Sequence, residues 1–510
     1  HFMKNYKYIG LLLLSFSVAS CDVNNELDKI TDPVQAEVAL NTNGLDFSSY
    51  IAVGASFTAG YTDGALFKAG QENSFPNILA KKFGVGATFT QPLMEDNIGG
   101  MLFGGSTVIQ EPRLIFDGAG PVRLDAIPTT EGTTVLTGGF NNYGIPGAKS
   151  FHIVADGFGS LAGVPLELAN PYYARMATSA TANVLADAMA QSPTFFTLSE
   201  IGGNDVLTYA TSGGVGVDQS PTTTNPTGNL DPTTYGGNDI TNPLVFDQVF
   251  RAMVTTLTSG EAKGVIATVP DITLLPFFTT VPYNPVPLDE ATAEAVNTAY
   301  ALYNGGLLVA KQNSLIDDAE VEKRTINFSA GQNAVVIIDE DLTDLSGLSI
   351  PSYRQTTAED LLVLPGSAFI GTLADPSNPA SVNGVGVALA DEWIITADEL
   401  AKISTATEAY NATIADVARS NENVAVIDLN AILREAASGI QFDRYTMTTS
   451  LVTGGLVSLD GIHLTARGYA LMANRILGAI DAKFGSNFTT ATNGLAKADD
   501  YPTNYSPTLQ

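Results

Sequence analysis

The sequence predicts an α/β protein, a three-layer α/β/α sandwich around a mostly parallel sheet with large loop insertions. Two observations carry this. Short apolar runs at 49–53, 194–199, 264–269 and 424–429 have the length of strands, and segments of helical spacing alternate with them. Apolar residues make up 45% of the 510-residue chain, enough to bury a large core.

Taken in order, the run at 49–53 (SYIAV) ends in Gly54 and fits a buried first strand. A helix is expected over 75–83, with Ser74 as its N-cap and Gly84 as its stop. Residues 85–140 are glycine-rich, with a hairpin expected around Asp117-Gly118. The segment 142–150 reads as a turn, and 170–189 carries helical spacing. After the strand at 194–199, residues 211–243 are rich in Thr, Pro, Gly and Asn and read as a surface loop. A helix over 245–257, a strand over 264–269 and a long helix over 289–311 come next. Two segments, 334–338 and 424–429, compete for the last core strand. The second leads more directly to the segment around His463, which leaves 339–395 largely as insertion. The final helix begins after Thr465, repeats apolar residues at Tyr469, Met472, Ala473, Ile476, Leu477 and Ile480, and stops at Gly485.

The ends and the charge narrow the function. Lys4, Lys7 and the short apolar run 9–18 read as a signal peptide over 1–20, too short for an ordinary membrane span. Small residues before Cys21, the one cysteine in the chain, resemble the lipobox of bacterial lipoproteins. Cys21 is therefore the expected lipid anchor, placing the chain in the bacterial envelope, at the outer membrane, with its sidedness open. Residues 21–46 read as a tether, 47–490 as the core with insertions near 85–140, 211–243 and 313–395, and 491–510 as a polar tail. With 53 acids against 24 bases, binding to nucleic acid is excluded.

Chemistry centres on scarce histidines. There are three, His1, His152 and His463, and His463 has Asp460 three residues upstream across a glycine. That spacing suits a base oriented by an acid. Ser56 follows the first strand among small residues, where a serine with a base can act as nucleophile. His152, in apolar surroundings without an orienting acid, reads as structural. Asp205 reads as a turn or cap residue. The acids Asp339, Glu340, Asp341 and Asp344 match no calcium-loop pattern and read as a solvated face, so no metal or cofactor is expected.

Four blocks in order resemble the SGNH/GDSL hydrolases: GASFTAG at 54–60, NYGIPGA at 142–148, GGND at 202–205 and DGIH at 460–463. The resemblance implies a flavodoxin-like sheet and an acyl-enzyme mechanism. In it Ser56 is the nucleophile, His463 the base and Asp460 its orienting acid, while Ser56, Gly147 and Asn204 form the oxyanion hole. GGND recurs at 236–239, but only the first copy follows a strand. Two positions depart from the pattern. Ala55 stands where many members carry aspartate, and Leu464 replaces the common proline, leaving the histidine turn less rigid. The expected activity is ester hydrolysis, on an acyl-ester or lipid substrate hinted at by Phe277-Phe278 and Met101-Leu102-Phe103. An acyltransferase using the same site, or a lipid- or glycan-binding lipoprotein without catalysis, are the alternatives.

Overall fold

The computed structural model describes residues 37–510. The signal peptide, Cys21 and most of the tether lie outside the described residues. The unit from Leu40 to Gln510 is organised by five parallel strands: β1 (Tyr50–Gly54), β2 (Asn142–Gly144), β3 (Phe195–Ser199), β4 (Lys263–Ala267) and β5 (Val424–Ile427). Their spatial order is β5-β4-β3-β1-β2. Ala52 pairs with Asn142 on one side and with Thr197 on the other, and Val265 stands between Thr197 and Ala425.

Every residue of β1 and β3 is buried, which is why these strands read as apolar runs without alternation. The period-2 geometry of a strand still divides them. Ile51, Val53, Phe196, Leu198 and Ile266 enter one apolar cluster, whereas Tyr50, Ala52, Phe195, Val265 and Ala267 enter another. The helices include α1 (Ser56–Ala59), α2 (Phe75–Lys82), α3 (Asn204–Thr211), α4 (Pro243–Leu257), α5 (Glu290–Gln312), α6 (Ala397–Ser420), α7 (Leu429–Ser438) and α8 (Ala466–Phe484). Helices α4 and α6 supply Phe246, Phe250, Ile403 and Tyr410 to the first cluster. Helices α2 and α8 supply Ile78, Leu79, Met472 and Leu477 to the second. Each fully buried side chain of this size contributes about 1.5–3 kcal/mol.

The helix ends follow their residues. Thr465 Oγ1 accepts the Gly468 N–H at 3.0 Å, a cap worth about 1 kcal/mol, and Gly485 closes α8 at φ 77°. Ser74 precedes α2 but makes no capping bond. The helical spacing over 170–189 is realised as two short pieces, Pro171–Ala174 and Val184–Met189. Asn170 and Asn183 cap them separately, and this local capping ends continuity through 175–182.

Of the two candidates for the last strand, 424–427 enters the sheet. Residues 336–338 instead pair antiparallel with 353–355, in a satellite around Val335, Ile337, Phe328 and Leu389. There the reading of 339–344 as a solvated acidic face fails for Asp339, which is 1% exposed. Its Oδ2 lies 2.5 Å from Arg354 Nε, and Arg354 also grips Asp360 at 2.6 and 2.8 Å. A buried cation of that kind demands buried carboxylates. The 114–116 and 121–123 strands form the hairpin expected around Asp117-Gly118. Segment 491–510 packs back on the core through buried Ala496 and Ala498. Arg113, fully buried, donates to the Ser506 and Leu509 carbonyls.

Candidate active site

The site gathers beyond the carboxyl ends of the parallel strands, where such sheets bind ligands. At the end of β1 a Cβ on Gly54 would lie 2.2 Å from Thr58 Oγ1 and 2.6 Å from the Ser199 carbonyl, so only glycine admits so tight a turn. Ser56 then opens the single-turn helix α1.

His463 sits in a loop that closes on itself. The Ser458 N–H donates to the His463 carbonyl at 2.7 Å, and Gly461 N–H to the Ser458 carbonyl at 3.0 Å. Val457 and Leu464 form an antiparallel bridge at its base, so the loop is held without the proline that Leu464 replaces. Asp460 Oδ1 accepts the N–H groups of Ile462 and His463, each at 2.8 Å, and the Ser458 hydroxyl at 3.1 Å. Its Oδ2 lies 2.8 Å from His463 Nδ1 and accepts the Gly64 N–H at 2.8 Å. Burial works against the carboxylate, but His463 and these donors outweigh it and hold Asp460 well below the usual carboxylate range. With Nδ1–H on the carboxylate, Nε2 presents its lone pair to Ser56 Oγ, 2.9 Å away. Ser56, His463 and Asp460 thus form one hydrogen-bonded line.

The nucleophile turn rests on Glu200, a residue not singled out from the sequence. Glu200 leaves β3 at φ 47°. It accepts the Ala55 N–H at 2.6 Å, the Thr58 N–H at 2.9 Å and the Thr58 hydroxyl at 3.1 Å. Ala55 therefore contributes its backbone alone. Asp63 was missed as well. Its Oδ1 accepts the Leu459 N–H at 3.1 Å, and its own N–H donates to Ser458 Oγ at 3.0 Å, clamping the loop after α1 to the histidine loop. Burial pushes the carboxyls of Glu200 and Asp63 up to about 7. The available signals were an acid two residues before GGND, and another three residues after the first block. Their partners lie 142–145 and 396 positions away, beyond any local pattern.

These shifts carry a sign. Between the ordinary glutamate value of 4.5 and about 7 the folded form keeps a proton on Glu200 that the unfolded chain releases. The associated stability is complete below the lower value and is lost as pH rises through the upper one. The thermal midpoint is expected to climb by several degrees from pH 8 to pH 5.5. Glu200→Gln, which keeps an acceptor for Ala55, should flatten that slope. An unaltered slope in the variant would exclude Glu200 as its source.

Asn204 begins α3 and donates from Nδ2 to the Ala148 carbonyl at 2.9 Å, which leaves its second amide hydrogen unassigned. Gly147 stands beside Ala148 with φ 80°. A Cβ there would meet nothing within 4 Å, so the left-handed backbone calls for glycine here, and crowding does not. Among the described residues no acceptor meets the N–H of Ser56 or of Gly147. Ser56, Asn204 and His463 line one cleft; Asp460 lies behind His463, and Gly147 reaches the site through its neighbour's bond to Asn204. Asp205 is buried away from that lining and ties the Ser150 N–H and hydroxyl at 2.9 and 2.6 Å. In the second GGND copy Asn238 is exposed in the 211–243 loop.

His152 stacks on Phe158 at 4.3 Å, and its Nδ1 accepts the Lys149 N–H. Burial, then Lys149, pushes it down to about 4, so it stays neutral.

The cleft wall is apolar: Leu207 from α3, Ile272 and Leu275 after β4, Leu433 from α7, and Leu471 and Met472 from α8. The residues that hinted at a lipidic substrate do not line it, although the Phe277 N–H donates to the Gly461 carbonyl of the histidine loop at 3.0 Å. Phe278 is buried in the core cluster behind Ile272 and Leu275, Met101 in another, and neither Phe277 nor Phe103 is exposed in the cleft.

No family model, curated protein or solved structure matches this chain. Fold and site together define a class: a parallel α/β protein with a Ser-His-Asp line at the mouth of an apolar cleft. Among the described residues no helix is long and apolar enough to cross a membrane.

Proposed function

We propose that this protein is a serine ester hydrolase of the SGNH/GDSL kind, working through an acyl-enzyme. The observation that carries the reading is the hydrogen-bonded line from Ser56 Oγ through His463 to Asp460, opening on an apolar cleft. In this reading His463 Nε2 takes the Ser56 proton as Oγ attacks the acyl carbonyl. Negative charge then forms on the former carbonyl oxygen, where the Ser56 and Gly147 N–H groups and the Asn204 amide act as donors. Collapse expels the alcohol, which takes its proton from His463. A water molecule, deprotonated by the same nitrogen, releases the acid and restores Ser56.

The cleft suits an aliphatic acyl chain, and the net charge of -29 favours uncharged esters over anionic ones. The strand order β5-β4-β3-β1-β2 and the two apolar clusters support the finer fold, a flavodoxin-like three-layer sandwich. Residues 1–21 support a lipid anchor at Cys21 in the bacterial outer membrane. The test is covalent. Alkyl fluorophosphonates should label one residue per chain, Ser56 by peptide mapping, and an octyl probe should react faster than a methyl one. Labelling at another residue, or none, would sink the reading; equal rates would remove the acyl cleft from it.

A further inference from the structure

A second constellation lies where the satellite meets the start of α6, and none of its residues lines the serine cleft. Glu340 follows the 336–338 strand, Asp391 opens the turn 391–393, and Glu399 lies in the first turn of α6. One carboxylate oxygen from each falls within 4.8 Å of the others. Among the described residues no lysine or arginine forms an ion pair with any of the three. Three like charges this close, in a partly buried place, oppose one another unless a proton or a cation neutralises them.

A second observation points to a ligand. Glu399 is 0% exposed, and its Oε2 is satisfied by the Thr396 N–H and hydroxyl at 2.8 and 3.0 Å. Its Oε1 is shut off from solvent and accepts no hydrogen bond, and the same holds for Asp391 Oδ1. A buried carboxylate oxygen left without a donor is costly. The chain also closes tightly here: a Cβ on Gly214 would stand 1.7 Å from Glu399 Oε1.

We propose that Glu340, Asp391 and Glu399 form a calcium site that fastens the 313–395 insertion to α6. The donors are hard oxygens, with no histidine or cysteine among them, which excludes a zinc-type site. Calcium binds oxygens at about 2.3–2.6 Å, so two of its ligands stand at most about 5 Å apart, the spread found here. Its remaining positions would be filled by water and carbonyls. Magnesium, which demands a stricter octahedron and keeps its waters, fits three converging carboxylates less well. No local pattern announces the site, because its ligands are spread over sixty positions of chain.

The test uses the full-length protein stripped of metal with chelator. Titration with calcium should show saturable binding of one ion per chain and raise the thermal midpoint, with magnesium binding at least tenfold more weakly. Trp393, the chain's only tryptophan, lies two residues from Asp391, so bound terbium should luminesce on tryptophan excitation and be displaced by calcium. Asp391→Asn should weaken binding at least tenfold, and Glu340→Gln, at an exposed position that spares the fold, at least threefold. Absence of saturable calcium binding, or binding unchanged in both variants, would overturn the assignment.

Discussion

Ser56→Ala is expected to remove ester hydrolysis by a factor of about 10^4–10^6 in kcat while leaving the thermal midpoint within a degree or two. The loss is large because, among the described residues, Ser56 Oγ is the hydroxyl hydrogen-bonded to His463 Nε2, 2.9 Å away. The fold is spared because the turn is held by backbone and Thr58 donors on Glu200, none of which belongs to the Ser56 side chain. Rates on a neutral p-nitrophenyl ester, with the midpoint measured in parallel, separate the two effects. A variant that keeps more than a hundredth of the activity would exclude Ser56 as the nucleophile.

The second large effect is expected at Asp460. Asp460→Asn keeps an oxygen for the Ile462 and His463 N–H groups, so the loop retains its shape. It removes the charge and can set an amide N–H against Nδ1, favouring the tautomer that carries the proton on Nε2. His463 then has no lone pair for Ser56, and kcat should fall by about 10^4 with little change in KM. Steady-state kinetics on the same ester reads both constants. A loss below tenfold in kcat would mean that His463 is oriented by its loop alone.

How far these residues could be read from sequence differs between them. The Asp460–His463 spacing is local, and scarcity of histidine pointed to it. The Ser56–His463 contact spans 407 positions, and only the order of four short blocks suggested it. The core strands were legible because burial on both faces makes them apolar throughout, and 424–427 was separable from 334–338 by its shorter path to His463. Helix continuity over 170–189 was not, because two asparagine caps divide a segment whose apolar spacing runs on. Glu200 and Asp63 escaped for a different reason. Each looks like an ordinary loop acid until packing removes water and presents it with backbone N–H groups from distant chain. The cleft wall was equally hidden, being assembled from α3, α7, α8 and the segment after β4.

The exit from β3 places two functions on one short span. Glu200 carries the nucleophile turn, and Asn204, four residues on, carries the amide that in the proposed mechanism faces the developing charge. A displacement of this span moves both together, so attack angle and charge stabilisation drift as one rigid body and keep their mutual alignment. The histidine loop belongs to another part of the chain and is laced to the first body by Gly64 and Asp63. Between the reacting groups themselves the two parts meet at the contact of Ser56 with His463. Substitutions far from the chemistry should register there first, as changes in proton transfer with the oxyanion donors left in register.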